Sequence, residues 1–103
     1  MSKTIVDMPK VTQMLDAGWS VGIERNGLGS YSAWARHDKP GPVKRCRDGL
    51  IKASEEQVPH TGMTAEELVD VVHFDEGRVV TDDFTPEQAL TRLAYKVHGE
   101  IID

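Results

Sequence analysis

Between residues 7 and 18 the apolar positions recur at helical spacing. Val11, Met14 and Leu15 make one stripe, Asp7 can cap its start, Pro9 suits a first turn, and Gly18 can take the left-handed conformation that ends a helix. The period then falls to two: Trp19, Val21 and Ile23 alternate with Ser20, Gly22 and Glu24, and the alternation resumes after Asn26-Gly27-Leu28-Gly29 with Tyr31, Ala33 and Ala35. This predicts a β-hairpin in which Asn26-Gly27 supplies the positive-φ turn and Gly29 adds a bulge. Trp34 falls on the opposite face from Tyr31. The expectation is that it packs beneath the segment that follows, the alternative being an apolar patch on the outer side of the sheet.

Asp38-Lys39-Pro40-Gly41-Pro42 reads as a break, because two prolines remove amide donors around a flexible glycine. A weak helix is predicted over 43–58 on a Val43, Cys46 and Leu50 stripe, and a second break at Pro59-His60-Thr61-Gly62. Thr64 and Glu67 then fit a capping box, with Leu68, Val71 and Val72 behind it, which predicts a helix over 65–72. Asp75-Glu76-Gly77 is a turn, and Arg78-Val79-Val80-Thr81 has the β-branched chemistry of a third strand. The last helix is the best marked. Thr85 caps it, Pro86 takes its first position, Gln88 completes the box, and Phe84 can staple onto Ala89. Leu90, Leu93, Ala94 and Val97 form its stripe, and Gly99 stops it.

These elements predict an α+β fold: a three-stranded antiparallel sheet with the N- and C-terminal helices on one face, in the order α-β-β-insert-β-α. One domain is expected over residues 1–103, with 38–76 an insertion carrying one or two short helices between the second and third strands. At 103 residues and 39% hydrophobic content, the chain has enough apolar surface for one small core. No run reaches the roughly 20 apolar residues of a membrane span, and no secretory signal layout is present. One Cys excludes an internal disulfide. A cytoplasmic protein without membrane contact is the expectation.

The net charge of −5 hides a division. Residues 1–52 hold nine Lys and Arg against five Asp and Glu, whereas residues 53–103 hold three against twelve. Either the two halves occupy different surfaces or the fold interleaves them so that charges pair. The basic side is densest at Arg36, Lys39, Lys44, Arg45, Arg47 and Lys52. The acidic side gathers Glu55, Glu56, Glu66, Glu67, Asp70, Asp75, Glu76, Asp82 and Asp83.

Catalytic chemistry is thinly represented. Lys44-Arg45-Cys46-Arg47 places cations beside a lone thiol, which favours a thiolate, although Cys46 also sits on the apolar stripe as a buried residue would. His37, His60, His73 and His98 show no metal-binding spacing, and Asp82 and Asp83 suit a turn before a helix better than an acid-base pair. Asn26-Gly27-Leu28-Gly29 joins strand to strand, unlike a phosphate-binding loop. No catalytic residue, metal or cofactor is assigned.

The order of elements resembles the double-stranded-RNA-binding domain. That resemblance implies phosphate binding at the start of the last helix, where this chain has Asp82, Asp83, Thr85, Pro86, Glu87 and Gln88, a set that repels phosphates. Gly29-Ser30-Tyr31 and Asp83-Phe84-Thr85-Pro86-Glu87-Gln88-Ala89-Leu90 are similar to the hairpin and helix start of HicB-type antitoxins. The phrase from Gly18 to Tyr31, joined to Val80-Thr81-Asp82-Asp83-Phe84, looks like small bacteriophage and prophage proteins, which implies a host-takeover factor such as an inhibitor of CRISPR systems. Two functions follow as expectations. One is a non-enzymatic protein-binding module that modulates a host protein through Glu66, Glu67, Asp70, Asp75, Glu76, Asp82 and Asp83. The alternative is a nucleic-acid-binding or antitoxin-like module using Arg36, Lys39, Lys44, Arg45, Arg47 and Lys52, with Trp34 as a stacking platform. Exposed sheet edges also predict a homodimer.

Overall fold

A computed structural model describes residues 8–58 and 62–101. Helix α1 spans Met8–Asp16, strands β1 and β2 span Ser20–Arg25 and Tyr31–Arg36, and helix α2 spans Pro40–Ser54, followed by a 3-10 turn at Glu55–Gln57. Helix α3 covers Ala65–Val72, the short strand β3 covers Phe74–Asp75, β4 covers Arg78–Asp83, and helix α4 covers Pro86–Val97. The fold is α+β, with a four-stranded antiparallel sheet in the order β1-β2-β4-β3. The additional strand is β3, whose two residues are too few for a period-two pattern to register.

Caps set most of the boundaries. The Thr64 hydroxyl accepts from Glu67 N–H at 3.2 Å, and that of Thr85 accepts from Gln88 N–H at 3.1 Å, each meeting an amide that the first helical turn leaves unpaired. At the end of α4, Gly99 N–H bonds to Lys96 O at 2.8 Å and Glu100 N–H to Tyr95 O at 3.0 Å, with Gly99 at φ 77°. That double bond pattern requires a left-handed residue, which glycine adopts at least cost. The Phe84 staple does not form: Phe84 is 83% exposed. Leu15 likewise turns outward rather than joining the Val11 and Met14 stripe.

The hairpin pairs Ser20–Arg25 with Tyr31–Arg36 in the expected direction, but its turn has another construction. Among residues 26–30 only Gly29 has a positive φ, at 82°. Asn26 organises the loop with its side chain, accepting from Leu28 N–H at 2.9 Å and Ser30 N–H at 3.2 Å while its amide donates to Ser30 Oγ at 2.7 Å. The Pro40-Gly41-Pro42 break is instead a helix start. Pro40 occupies the first turn of α2, where a missing amide costs nothing, so the helix begins three residues earlier than the predicted 43 and ends at Ser54. The cap expected at Asp7 and most of the break at 59–62 lie outside the described residues.

Helix α4 crosses β1, β2 and β4, α1 packs beside it, and α2 lies between α4 and α3, so the helices form a layer on one face of the sheet. The core between the layers holds Met14, Trp19, Ala33, Ala35, Leu50, Val69, Val79, Leu93 and Ala94. Alanines at 33 and 35 let α4 approach the sheet closely. Helix α2 reaches α4 through glycine: a Cβ on Gly49 would lie 2.8 Å from the Cα of Gly99. No helix among the described residues is long and apolar enough to cross a membrane.

Candidate functional site

The strand register divides the sheet into two faces. Ala33, Ala35, Val79 and Thr81 point to the helices and are buried. Gly22 and Glu24 of β1, Ser32, Trp34 and Arg36 of β2, Asp75 of β3, and Arg78, Val80 and Asp82 of β4 share the opposite phase. Trp34 therefore lies on the face away from the helices and does not pack beneath the 38–76 segment, because the insert's helices join the layer on the other side.

Trp34 is the centre of this face. Its indole lies across Gly22, where a Cβ would meet ring atoms at 2.2 Å, and it pairs in register with Val80 on the other side. The Arg78 guanidinium stands 5.4 Å from the ring centroid, within cation–π range. The Arg78 Nη2 atom is 3.6 Å from the Asp75 carboxylate and 3.9 Å from that of Glu76, while its Nε–H is buried without an acceptor. At the other end, the Ser32 hydroxyl donates to Asp82 Oδ1 at 2.5 Å. The result is a depression of about 210 Å³ with Trp34 and Val80 at its base and Glu24, Asp75 and Asp82 around it.

The acidic residues singled out in the sequence do not make one surface. Asp75, Glu76 and Asp82 border the open sheet face. Asp83 has the opposite phase: its side chain is 9% exposed, 2.6 Å from Arg92 Nε, and it also accepts from Phe84 N–H at 2.7 Å. Glu66, Glu67 and Asp70 stand on α3, where Glu67 serves the cap and Asp70 takes two hydrogen bonds from Arg47 at 2.9 and 3.0 Å. Those bonds hold the Asp70 carboxyl below its ordinary range.

The basic set divides in the same way. Arg36 shares the open face with Trp34, Lys39 precedes α2, Lys44, Arg45 and Lys52 occupy the exposed side of α2, and Arg47 is bound to Asp70. Arg47–Asp70 and Lys10–Glu100, the latter at 3.6 Å, show the two charged halves meeting rather than standing apart, whereas Arg78 with Asp75 pairs within the acidic half. In the sequence Gly22, Glu24, Arg78 and Val80 read only as strand positions and Ser32 is not singled out, so none of the five is assigned to a site. Their signal was phase: each falls in step with Trp34 once the register is known.

A second concavity opens between β4 and α4, about 290 Å³ in volume and lined by Val72, His73, Val80, Asp82, Arg92, Lys96 and Ile101. Lys96 donates to Val80 O at 2.8 Å, and burial lowers it to about 8 from the ordinary 10.5. His73 is 6% exposed and is lowered to about 4, first by burial and then by the charge of Lys96. Beneath them the Cys46 thiol donates to Lys96 O at 2.9 Å, and burial pushes it up to about 12. The neighbouring cations do not make a thiolate, because Lys44, Arg45 and Arg47 leave the helix away from the buried sulfur; Cys46 packs as an apolar residue. Among the described residues, no three His, Cys, Asp or Glu side chains come together as a metal site. No known family matches the chain, and neither a curated protein nor a solved structure is significantly similar to it.

Proposed function

We propose that the protein is a non-enzymatic binding module that docks on a host protein through the open face of its sheet. The observation that carries this reading is the arrangement at Trp34: a large apolar ring seated against Gly22, with Glu24, Asp75 and Asp82 around it and the Arg78 Nε–H lacking an acceptor. An aromatic anchor inside a polar rim is the arrangement in which a few residues supply most of a binding free energy. The carboxylates favour a partner with a basic surface, and a nucleic-acid-handling host factor, such as a CRISPR effector, presents one where it holds phosphates. Acidic groups would steer that encounter and make it sensitive to salt.

The nucleic-acid reading has less support. Lys44, Arg45 and Lys52 extend from α2 in the helical layer, whereas Trp34 is on the other face and is bordered by carboxylates. Of the basic set only Arg36 shares the face of Trp34, so the stacking platform and most of the phosphate-binding cations stand on different surfaces. We further propose that the outer edge of β1, the end strand of the sheet, pairs with a second copy. The test is affinity capture from host lysate at low salt beside gel shifts with single-stranded and duplex probes. A captured protein released by added salt, with no gel shift, is expected; a shift without a protein partner overturns the assignment.

A further inference from the structure

The concavity between β4 and α4 adjoins the docking face along β4, sharing Val80 and Asp82 with it, but its lining residues outside β4 belong to α3, α4 and the segments that follow them. Lys96 reaches into it from α4. Its Nζ donates to the Val80 carbonyl at 2.8 Å and has no carboxylate within ion-pair distance among the described residues. Val72 and Ile101 form apolar walls, β4 contributes the Val80 carbonyl, and Arg92, itself bound to Asp83, is a second cation nearby. His73 contributes a buried imidazole whose Nδ1 has no partner.

We propose that Lys96 is a carbonyl-capturing amine: a short aliphatic aldehyde entering the concavity between β4 and α4 condenses with its Nζ to form a reversible imine. The geometry provides for this in three ways. The bond to Val80 O fixes the nitrogen at the wall and leaves the lone pair of the neutral amine for an incoming carbonyl carbon. The volume of about 290 Å³ admits a small ligand, and its aliphatic walls match an alkyl tail.

The step balances without an added oxidant or reductant. The nitrogen pair attacks the carbonyl carbon, the C=O π pair moves to oxygen, and a proton passes from nitrogen to oxygen. The hydroxyl then leaves as water after taking a second proton, which the nitrogen loses as C=N forms. Aldehyde and amine give imine and water. Charged groups facing Lys96 act in both directions: burial is the largest influence and favours the neutral amine, Arg92 adds to it, and Asp82 and Cys46 oppose it. With its value near 8, roughly a tenth of Lys96 is neutral at pH 7. Desolvation is a condition that makes a lysine nucleophilic, and here it prevails over the opposing charge of Asp82, which is a larger influence than Arg92.

The test uses the folded full-length chain with limiting butanal and cyanoborohydride, which reduces any imine to a stable secondary amine, followed by peptide mapping. At pH 7, Lys96 is expected to be labelled about tenfold ahead of Lys44 and Lys52, and the preference is expected to vanish in urea. Its labelling rate is also expected to level off above about pH 8, where that of a free lysine derivative still climbs. Labelling of Lys96 no faster than Lys44 and Lys52, a preference that survives urea, or a rate that climbs with the free amine would each overturn the proposal.

Discussion

The indole of Trp34 lies against Gly22 on the neighbouring strand, at a separation that no side chain at position 22 would permit. The pair fixes the shape of the open face. Glycine weakens a strand interior, and here it makes room for a ring that in turn supports Arg78. Gly22→Ala is therefore expected to turn the indole out of its seat. The Trp34 Nε1–H resonance should move while that of buried Trp19 stays, with a stability loss of about 1 kcal/mol or less, since a methyl also favours the strand. An unmoved Trp34 signal would contradict the packing described.

At the second close approach the obstacle is backbone rather than a movable ring. A methyl on Gly49 would meet the Gly99 Cα at 2.8 Å, so α2 must shift away from the end of α4. Gly49→Ala should cost about 1–3 kcal/mol despite alanine's better helix propensity of about 1 kcal/mol. Thermal denaturation checks the sign, and a higher Tm would refute the contact.

His73 predicts an acid-side loss of stability. Its ordinary value is 6.5 and the folded value is about 4, so between those limits the unfolded chain binds a proton that the folded chain refuses. Stability falls as the pH drops from 6.5 toward 4 and levels off below. Urea midpoints for wild type and His73→Phe should diverge in their pH dependence across that window, with the variant less sensitive to acid. Parallel curves would show that His73 is not held neutral.

Arg47 and Asp70 join the basic half of the chain to the acidic half, but the pair is exposed, so water and salt weaken it. A double-mutant cycle with Arg47→Ala and Asp70→Ala should give a coupling of about 0.2–1 kcal/mol that shrinks in high salt. A coupling above about 2 kcal/mol would require a drier pair than this one.

The parts of the fold that were legible in the sequence are those encoded locally. Thr85, Pro86, Gln88 and Gly99 bound α4 through contacts no more than five residues apart, and Thr64 with Glu67 does the same for α3. Pro40-Gly41-Pro42 was ambiguous because proline both breaks a helix and opens one, and only packing of Cys46 and Leu50 decides between them. The candidate site was legible only in Trp34, Arg36, Asp75, Glu76 and Asp82. Which face the helices cover, and that Gly22 and Arg78 flank the indole, depends on register between strands far apart in sequence. Charge counting failed to place Asp83 and Asp70 for the same reason: their partners, Arg92 and Arg47, are set by tertiary packing.

The most direct test of the docking face is capture of one host partner by wild type and by variants of each charged surface, read side by side at low salt. Trp34→Ala and Glu24→Lys are expected to lose the partner while Arg45→Glu and Lys52→Glu keep it, all four remaining folded by circular dichroism. Retention by Trp34→Ala and Glu24→Lys, with loss on reversing the α2 cations, would contradict the account.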